Sequence, residues 1–264
     1  MPNKAGQYDQ IIERVFFAHY TPGMTEVGFD REEIATVATE LGLARPKNLG
    51  DVLYTYRHRR LLPQTVRDTA GERHWVIMNA QDDDYRFVLR DEVHILPRAE
   101  LTVTRIPDST PGPIKLYALS DEQSLLALLR YNRLLDIFTG IACYSLQSHL
   151  KTTVGGRGVE TDEVYVGISR EGTHYVLPVQ AKGGRDHLGI VQIEQDFALC
   201  AEKFPGLVAR PIAAQFMADD VIALFDFALE PDRGVTVLSE RHYQLVPHDQ
   251  LTTEELARYR ATPV

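Results

Sequence analysis

The sequence predicts an α/β protein with two domains, and three features of the 264-residue chain support that prediction. Apolar residues recur with helical spacing through the first 60 residues, prolines cluster between 106 and 113, and strand-like segments fill much of the chain after residue 160. We therefore expect a helical N-terminal domain at 1–105 and, at 114–264, a domain with a mixed sheet flanked by helices.

Three helices are predicted in the N-terminal domain, at 8–20, 30–41 and 49–60. Asp30 with Glu33 three residues later forms a capping box, which marks the start of the second helix. The short connection between the second and third helices is typical of a helix-turn-helix.

Strand-like segments follow these helices at 63–66, 74–78 and 85–89. Helices followed by a β-hairpin are the order of a winged helix-turn-helix domain, in which the third helix enters the DNA major groove. Arginine can read guanine edges or hold phosphate. The arginines expected to contact DNA in this domain are Arg57, Arg59, Arg60 and Arg73. The alternative is a solvated basic face on a protein-interaction module.

Composition and charge favour a globular protein and argue against a membrane-spanning one. Hydrophobic residues make up 44% and charged residues 25% of the chain, and no apolar run is as long as a membrane span. The N-terminus lacks an export signal, and Cys143 and Cys200 lie in apolar, helix-like contexts, so we expect buried thiols and a cytoplasmic location. The net charge of −9 argues against DNA binding by overall charge but allows a local basic face.

The C-terminal domain is predicted to contain helices, a central hairpin and two further strand pairs. The predicted helices are 121–138, continuing after a break as 141–151, then 186–204 and 252–259. The hairpin comprises 160–168 and 174–182 around a turn that contains Gly172, and the later strands are 208–216, 221–227, 235–239 and 242–246.

Charged and polar residues stand at one end of this hairpin. Glu160, Asp162 and Glu163 open its first strand, and Gln180 and Lys182 end its second. Because side chains alternate along a strand, Gln180 and Lys182 are expected to point the same way and to converge with the acids. Carboxylate and amide oxygens suit Mg²⁺, and a lysine beside them can steady a phosphate. The pattern favours metal-assisted hydrolysis of phosphodiesters.

The hairpin resembles the core of the PD-(D/E)xK nuclease superfamily, in which an Asp on the second core strand and a (D/E)xK motif on the third hold a metal. Gln180-Ala181-Lys182 departs from that motif and is similar to the QxK variant of the Mrr-like branch. The resemblance covers roughly residues 120 to 205. It implies a restriction-endonuclease-like fold, Mg²⁺ as cofactor with Mn²⁺ as a substitute, double-stranded DNA as partner, and a homodimer that cuts both strands.

The resemblance also implies roles for individual residues. Asp162 is expected to be the metal-binding acid together with Gln180, and Lys182 to position the attacking water or stabilise charge on the phosphate. Glu163 is the second candidate acid, because a β-bulge would exchange the faces of the strand, and Glu160 is the third. Glutamic acid at position 180 would restore the commoner motif and is expected to preserve some activity.

Several supporting residues stay open at this point. The superfamily often adds an acid from the preceding helix, for which the candidates are Glu122 and Asp136. Gln192 and Gln195 are similar to a glutamine of the trailing helix in some members, and Arg185 is a candidate phosphate contact.

The sequence thus predicts an Mg²⁺-dependent DNA endonuclease of the restriction or defence type. Two alternatives remain. One is a non-enzymatic winged-helix regulator whose degenerate nuclease-like domain dimerises or binds a ligand. The other is a nuclease that acts on branched or damaged DNA rather than on a defined sequence.

Overall fold

The computed structural model of the chain describes residues 4–80, 84–90, 94–117, 122–183, 186–230 and 234–261. Its internal contacts divide the chain into two compact units, which are described separately. The first unit comprises residues 1–95, 152–159 and 189–191, and the second comprises 96–151, 160–188 and 192–264. No helix within the described ranges is long and apolar enough to cross a membrane.

The first unit combines short helices with a small antiparallel sheet. Its elements in chain order are α1 (Lys4–His19), β1 (Glu26–Phe29), α2 (Glu33–Glu40), α3 (Leu49–Tyr54), a π-turn (Thr55–Arg59), α4 (Gln64–Arg67), a 3-10 turn (Asp68–Ala70), β2 (His74–Asn79), β3 (Tyr85–Arg90) and β4 (His94–Ile95). β3 lies between β1 and β2 and is antiparallel to both. Helices α1 to α3 lie where the sequence predicts them.

Aromatic side chains form the core of the first unit. Phe16 is buried on α1, and its ring centroid lies 5.2 Å from that of Trp75 and 5.0 Å from that of Phe87. The ring of Phe29 on β1 lies 5.0 Å from the same Phe87 ring. These contacts hold α1 against β2 and β3, because Trp75 lies on β2 and Phe87 on β3, and they join β1 to the same core through Phe87.

Two segments of the first unit differ from the sequence prediction. The strand predicted at 63–66 is wrong: Pro63 precedes helix α4, and its carbonyl accepts a hydrogen bond from the backbone N–H of Val66 at 3.1 Å. Proline has no N–H to give to a strand ladder, so it favours the start of a helical turn here. The sequence analysis also missed β1, whose four residues are too few to display a clear alternation.

The second unit is built around one large sheet. Its elements are β5 (Val103–Pro107), α5 (Gly112–Tyr117), α6 (Glu122–Tyr131), α7 (Leu134–Thr139), β6 (Ala142–Val154), β7 (Arg157–Ile168), β8 (His174–Lys182), β9 (Leu188–Gly189), α8 (Ile190–Lys203), β10 (Val208–Ala209), β11 (Ile212–Phe216), β12 (Val221–Glu230), β13 (Gly234–Val246) and α9 (Thr253–Ala261), with 3-10 turns at Ala218–Asp220 and His248–Gln250.

The large sheet is mixed, as the sequence predicts. Its strand order is β5-β13-β12-β11-β8-β7-β6, and β10 also pairs with β8. β8 is antiparallel to β7 and parallel to β11, and β13 is parallel to β5. The crossover from β8 to the parallel β11 includes helix α8, as a parallel connection requires. Because β5 includes residues 103–107, the linker predicted at 106–113 begins inside a strand of this sheet.

Helices cover both faces of the sheet in the second unit. Leu125 and Leu129 of α6 join Leu177 and Val179 of β8 in one buried cluster. Cys200 of α8 joins Val164 and Val176 in another cluster. Since residues 176 and 177 are neighbours on β8, their side chains point to opposite faces, and α6 and α8 therefore lie on opposite sides of the sheet.

The largest error of the sequence analysis concerns residues 141–151, which it predicts to be helical. The left-handed Gly140, with φ 70°, ends α7, and the chain continues as strand β6. β6 is an edge strand with mostly exposed side chains, so it lacks the alternation that a half-buried strand displays. Leu146 and Leu150 are four residues apart and mimic a helical period instead.

Two further elements differ in extent. The single helix predicted at 121–138 is divided into α6 and α7 by Arg133, which has a left-handed φ of 50°. The strands predicted at 235–239 and 242–246 form one strand, β13. Glu240, between them, is buried and accepts hydrogen bonds from the backbone N and Nε of Arg98, both at 2.7 Å, so a charged residue continues the strand.

Candidate functional site

The hairpin of β7 and β8 is confirmed, and it positions the candidate site. Its turn is closed by hydrogen bonds from the backbone N of Ser169 to the carbonyl of Thr173 and from the N of Gly172 to the carbonyl of Ser169, both 3.0 Å. Gly172 adopts φ 81°, which favours glycine. From this turn the strands pair regularly from Ile168 opposite His174 to Glu163 opposite Val179.

Beyond this regular pairing, a side chain replaces a backbone partner. Oδ2 of Asp162 accepts a hydrogen bond from the backbone N–H of Ala181 at 2.8 Å. Thr161 bonds to α8 on one face of the sheet, and Glu163 bonds to α6 on the other. Residues two apart on a regular strand share a face, so the alternation is interrupted at Asp162. This interruption turns the Asp162 carboxylate toward β8.

Three consecutive residues at the end of β8 each contact a different element. The side chain of Gln180 donates to Asp196 of α8, the backbone of Ala181 donates to Asp162 of β7, and the side chain of Lys182 donates to Glu122 of α6. The tripeptide therefore contacts one strand and two helices. Gln180 and Lys182, which the sequence predicts to point the same way, donate to helices that lie on opposite sides of the sheet.

One carboxylate oxygen of Asp162 is hydrogen-bonded and the other, Oδ1, can bind a further group. The side chain is half-buried, and Oδ2 is occupied by Ala181. Oδ1 has no hydrogen-bond partner among the residues that the structure describes. A carboxylate held at one oxygen and open at the other is suited to bind a cation or a water molecule.

Gln180 is only 1% exposed, and its amide orientation is determined by its neighbours. Nε2 donates to Oδ2 of Asp196 at 3.0 Å and to the main-chain carbonyl of Glu160 at 3.3 Å. Both partners accept, so the nitrogen must face them and Oε1 must point elsewhere. Nε2 of Gln192, on α8, lies 3.5 Å from that Oε1.

Asp196 is fully buried beneath Gln180, and the sequence analysis missed it. Oγ1 of Thr161 donates to its Oδ1 at 2.5 Å. Burial raises the pKa of the Asp196 carboxyl to about 7; the hydrogen bonds from Thr161 and Gln180 oppose this rise, and the nearby Asp162 charge adds to it. The available signal was helical spacing, because residue 196 falls on the same face of α8 as the buried Ile193 and Cys200.

Lys182 pairs with an acid of the preceding helix. Its Nζ lies 3.2 Å from Oε1 of Glu122, and its side chain is 11% exposed. Glu122 is in the first turn of α6 and is the more exposed partner, at 38%. Asp136, the other helix acid considered, instead accepts a hydrogen bond from the backbone N of Cys143 at 3.0 Å and pairs with Arg133. Of the two helix acids, Glu122 therefore contacts the end of β8 and Asp136 contacts Cys143 and Arg133 instead.

The other two candidate acids of β7 lie apart from this group. Glu163 is fully buried and accepts hydrogen bonds at its Oε1 from Nη2 of Arg130 at 2.8 Å and from Oγ of Ser145 at 2.6 Å. The carboxylate of Glu160 is 51% exposed and pairs with Lys151 at 3.0 Å. Only the main-chain carbonyl of Glu160 contributes to the site, through Gln180.

The arginines predicted to bind DNA do not form one exposed face. Arg57 is half-buried, and burial lowers its pKa. Nη2 of Arg60 pairs with Oδ2 of Asp9 at 3.0 Å, and its guanidinium lies 5.8 Å from the centre of the Tyr56 ring. Arg73 is exposed. The side chain of Arg59 and all of Arg185 lie outside the described part of the chain.

The oxygen donors of the site suit a hard cation. Asp162 and Glu122 supply carboxylates and Gln180 supplies an amide oxygen, which are ligand types that Mg²⁺ prefers. In the described ranges, no three His, Cys, Asp or Glu side chains converge as a metal-binding group. The site would therefore combine two carboxylates with the amide and would leave other positions to water or phosphate, as is usual for Mg²⁺.

The chain matches no protein-family model, and comparison with curated proteins and with solved structures finds no match.

Proposed function

We propose that the chain is an Mg²⁺-dependent endodeoxyribonuclease of the PD-(D/E)xK type. The observation that carries the proposal is the tripeptide Gln180-Ala181-Lys182, which contacts Asp196, Asp162 and Glu122 on three separate elements. Glu122, Asp162 and Lys182 are the residue types that metal-assisted phosphodiester hydrolysis uses.

The order of elements in the second unit supports the same proposal. The resemblance implies an Asp on the second of three core strands and the QxK motif on the third. β6, β7 and β8 are three consecutive neighbours in the sheet, with Asp162 on β7 and Gln180 and Lys182 on β8. Helix α6, which supplies Glu122, precedes them, and α8, which supplies Gln192, follows.

Each residue would have a defined task in this reaction, and Glu122 would have two. Oδ1 of Asp162, the Glu122 carboxylate and Oε1 of Gln180 would hold Mg²⁺. The bound cation would supply an activated water and charge neutralisation at the phosphate. Lys182 would use its ammonium group to orient the attacking water and to stabilise charge that develops on the phosphate oxygens. Glu122 orients that ammonium group through the 3.2 Å contact.

The first unit would supply DNA affinity. Its order of α1, β1, α2, α3, α4, β2 and β3 resembles a winged helix with the short helix α4 added before the hairpin. Arg73 lies just before β2, at the start of the wing. A second basic group, Arg31, Arg45 and Lys47, lines a surface depression that begins at Arg31 and includes the start of α3, although Arg45 is paired with Glu32 at 3.3 Å. Arg45, Lys47 and Arg73 are exposed, whereas Arg31 is half-buried, as Arg57 and Arg60 are. The exposed cations are better placed for phosphate.

A non-enzymatic regulator is the second candidate. The observation that favours it is that the Gln180 side chain is buried and hydrogen-bonded within the protein. The residue is 1% exposed, and Nε2 of Gln192 already lies 3.5 Å from its Oε1. In that case the polar group would stabilise the fold and DNA binding would be the only activity. The homodimer remains a prediction, for which sedimentation velocity is the measurement.

Cleavage assays distinguish the two candidates. Supercoiled plasmid and genomic DNA, methylated and unmethylated, would be incubated with the full chain in Mg²⁺ or in EDTA. The nuclease proposal predicts cleavage in Mg²⁺ and none in EDTA. Discrete fragments would indicate a defined recognition site, whereas cutting confined to branched or damaged substrates would indicate a structure-directed nuclease. Binding without cleavage of any substrate would reject the proposal in favour of the regulator.

A further inference from the structure

A buried acid faces the glutamine of the candidate site. Asp196 has no exposed surface, and both of its oxygens accept hydrogen bonds, one from Thr161 at 2.5 Å and one from Gln180 at 3.0 Å. A carboxylate that accepts at both oxygens is fixed in position and orientation. The proposed chemistry gives Asp196 no direct part, so its presence needs a separate explanation.

The contacts of Asp196 explain why residue 180 is an amide. The end of the residue 180 side chain meets two acceptors, the Asp196 carboxylate at 3.0 Å and the Glu160 carbonyl at 3.3 Å. A glutamate there would place a third acceptor against these two in a buried site. Only a side chain with a donor on this side and an acceptor on the other satisfies the position, and glutamine provides both.

We propose that Asp196 is a positioning residue that locks the Gln180 amide with Nε2 inward, so that Oε1 is the atom presented to a cation held by Asp162. This inference rests on the proposed function, since it assigns Gln180 a ligand role. Thr161 supports it by holding the second oxygen of Asp196. The Gln180 amide and the Asp196 carboxylate thus act as a matched pair. Changing Gln180 alone to glutamate places two carboxylates face to face, and changing Asp196 alone to asparagine places two amides face to face.

The matched pair leads to a specific exchange experiment. Asp196→Asn allows either orientation of the Gln180 amide, and we expect the Mg²⁺ concentration for half-maximal cleavage to rise about tenfold, the scale seen when a residue that orients a metal ligand is changed. Gln180→Glu places carboxylate against carboxylate and is expected to be more damaging. The double variant Gln180→Glu/Asp196→Asn exchanges the two groups and should recover at least about tenfold over Gln180→Glu.

A readout without catalysis accompanies these rates. In ¹⁵N-labelled protein without metal, the side-chain NH₂ signal of Gln180 is identified by its loss in Gln180→Glu. Its protons should exchange slowly with water in the unchanged chain, and faster by about tenfold or more in Asp196→Asn, because that variant removes a hydrogen bond to a buried carboxylate. Mn²⁺ should broaden this signal through paramagnetic relaxation. Glu202→Gln, an exposed acid on the same helix, is the matched control.

The outcomes separate this inference from the proposed function. If the unchanged chain does not cleave DNA, the proposed function fails; the positioning inference then stands only if Asp196→Asn speeds exchange and Mn²⁺ broadens the Gln180 signal. If cleavage occurs but Asp196→Asn behaves as Glu202→Gln does, the inference is overturned and the function is not. It is also overturned if the double variant is no better than Gln180→Glu.

Discussion

The end of β8 and the arginine segment at 57–60 are both groups of charged or polar residues that lie close together in the sequence. In the folded chain, the two groups have different kinds of partner. At the end of β8, Gln180 and Lys182 meet acids from other elements of the second unit. At 57–60, Arg57 is half-buried and Arg60 pairs with Asp9. Polar residues that are close in sequence therefore meet acids of other elements in one region, whereas in the other they are partly buried or paired within the first unit.

The difference has a physical cause. Strand pairing fixes the position of every residue on β8, so a polar residue at its end has a defined set of neighbours. The segment after α3 instead changes from an α-helix to a π-turn, in which the backbone N of Arg60 donates to the carbonyl of Thr55 at 2.8 Å. The additional residue in that turn rotates the side chains relative to an α-helical prediction.

The largest effect is expected from Asp162→Asn. The amide oxygen can still accept from the Ala181 backbone, so the fold should be kept, while the negative charge that binds the cation is removed. Cleavage should fall by roughly 10³-fold or more, equivalent to several kcal/mol of transition-state stabilisation. Glu171→Gln, at the exposed turn of the same hairpin, is the control and should cleave as the unchanged chain does. Equal rates for the two variants would remove Asp162 from the site.

Lys182→Ala should reduce the rate of the chemical step by about 10², the scale for loss of one electrostatic stabiliser. Single-turnover cleavage measures that step directly, and calorimetry should find little change in Mg²⁺ affinity. Lys203→Ala, at the exposed end of α8, is the matched control. An unchanged single-turnover rate for Lys182→Ala would limit Lys182 to its ion pair with Glu122.

The pH dependence of the free energy of unfolding should show the titration of the Asp196 carboxyl group. Its pKa is raised to about 7 in the folded chain, so the folded state binds this proton more tightly than the unfolded state does. Its contribution to stability is therefore present at low pH and declines as pH rises from about 4 to about 7, by at most about 1.4 kcal/mol per pH unit. Urea unfolding in EDTA from pH 4 to pH 8 would compare the unchanged chain with Asp196→Asn. A difference between them that is constant with pH would contradict this account.

The smallest effects concern individual basic residues of the first unit. Arg60→Ala should lower the free energy of unfolding by up to about 1 kcal/mol, because it removes a partly exposed ion pair with Asp9, and should leave DNA affinity nearly unchanged. Arg73→Ala or Lys47→Ala should instead keep stability and flatten the slope of log affinity against log salt by roughly 0.9 for each phosphate that the variant no longer neutralises. Fluorescence anisotropy across a salt series measures that slope. The reverse pattern would restore the segment at 57–60 as the DNA-binding surface.

The sequence predicted those parts of the site whose pattern is local. The alternation and turn of the hairpin, Asp162 on its first strand, and the Gln180-Ala181-Lys182 motif are visible without a structure, although that strand begins at Arg157 and not at the predicted residue 160. The first unit's helices were also predictable from apolar spacing. Asp30 and Glu33 do exchange hydrogen bonds with the backbone at 30–32, but they do so in the turn before α2, which begins at Glu33 with Glu32 as its N-cap. These features depend on residues within one element.

The parts that were missed depend on contacts between distant elements. β6 lies at the edge of the sheet, where neither face demands apolar residues, so Leu146 and Leu150 mimicked a helix. The contacts of Asp196 with Thr161 and Gln180 form only when α8 packs against the sheet, so the sequence alone does not indicate them. The same contact reverses one expectation: glutamate at position 180 restores the commoner motif, yet it would face a buried carboxylate.

Metal binding by the unchanged chain and by Asp162→Asn tests the central claim most directly, because it requires no DNA substrate. Mn²⁺ titration at neutral pH, followed by calorimetry and by electron paramagnetic resonance, would count the sites in each. The account predicts a site in the unchanged chain that is abolished or greatly weakened in Asp162→Asn and kept in Glu171→Gln. No binding by the unchanged chain, or equal binding by Asp162→Asn, would contradict the assignment of a metal site to the end of β8.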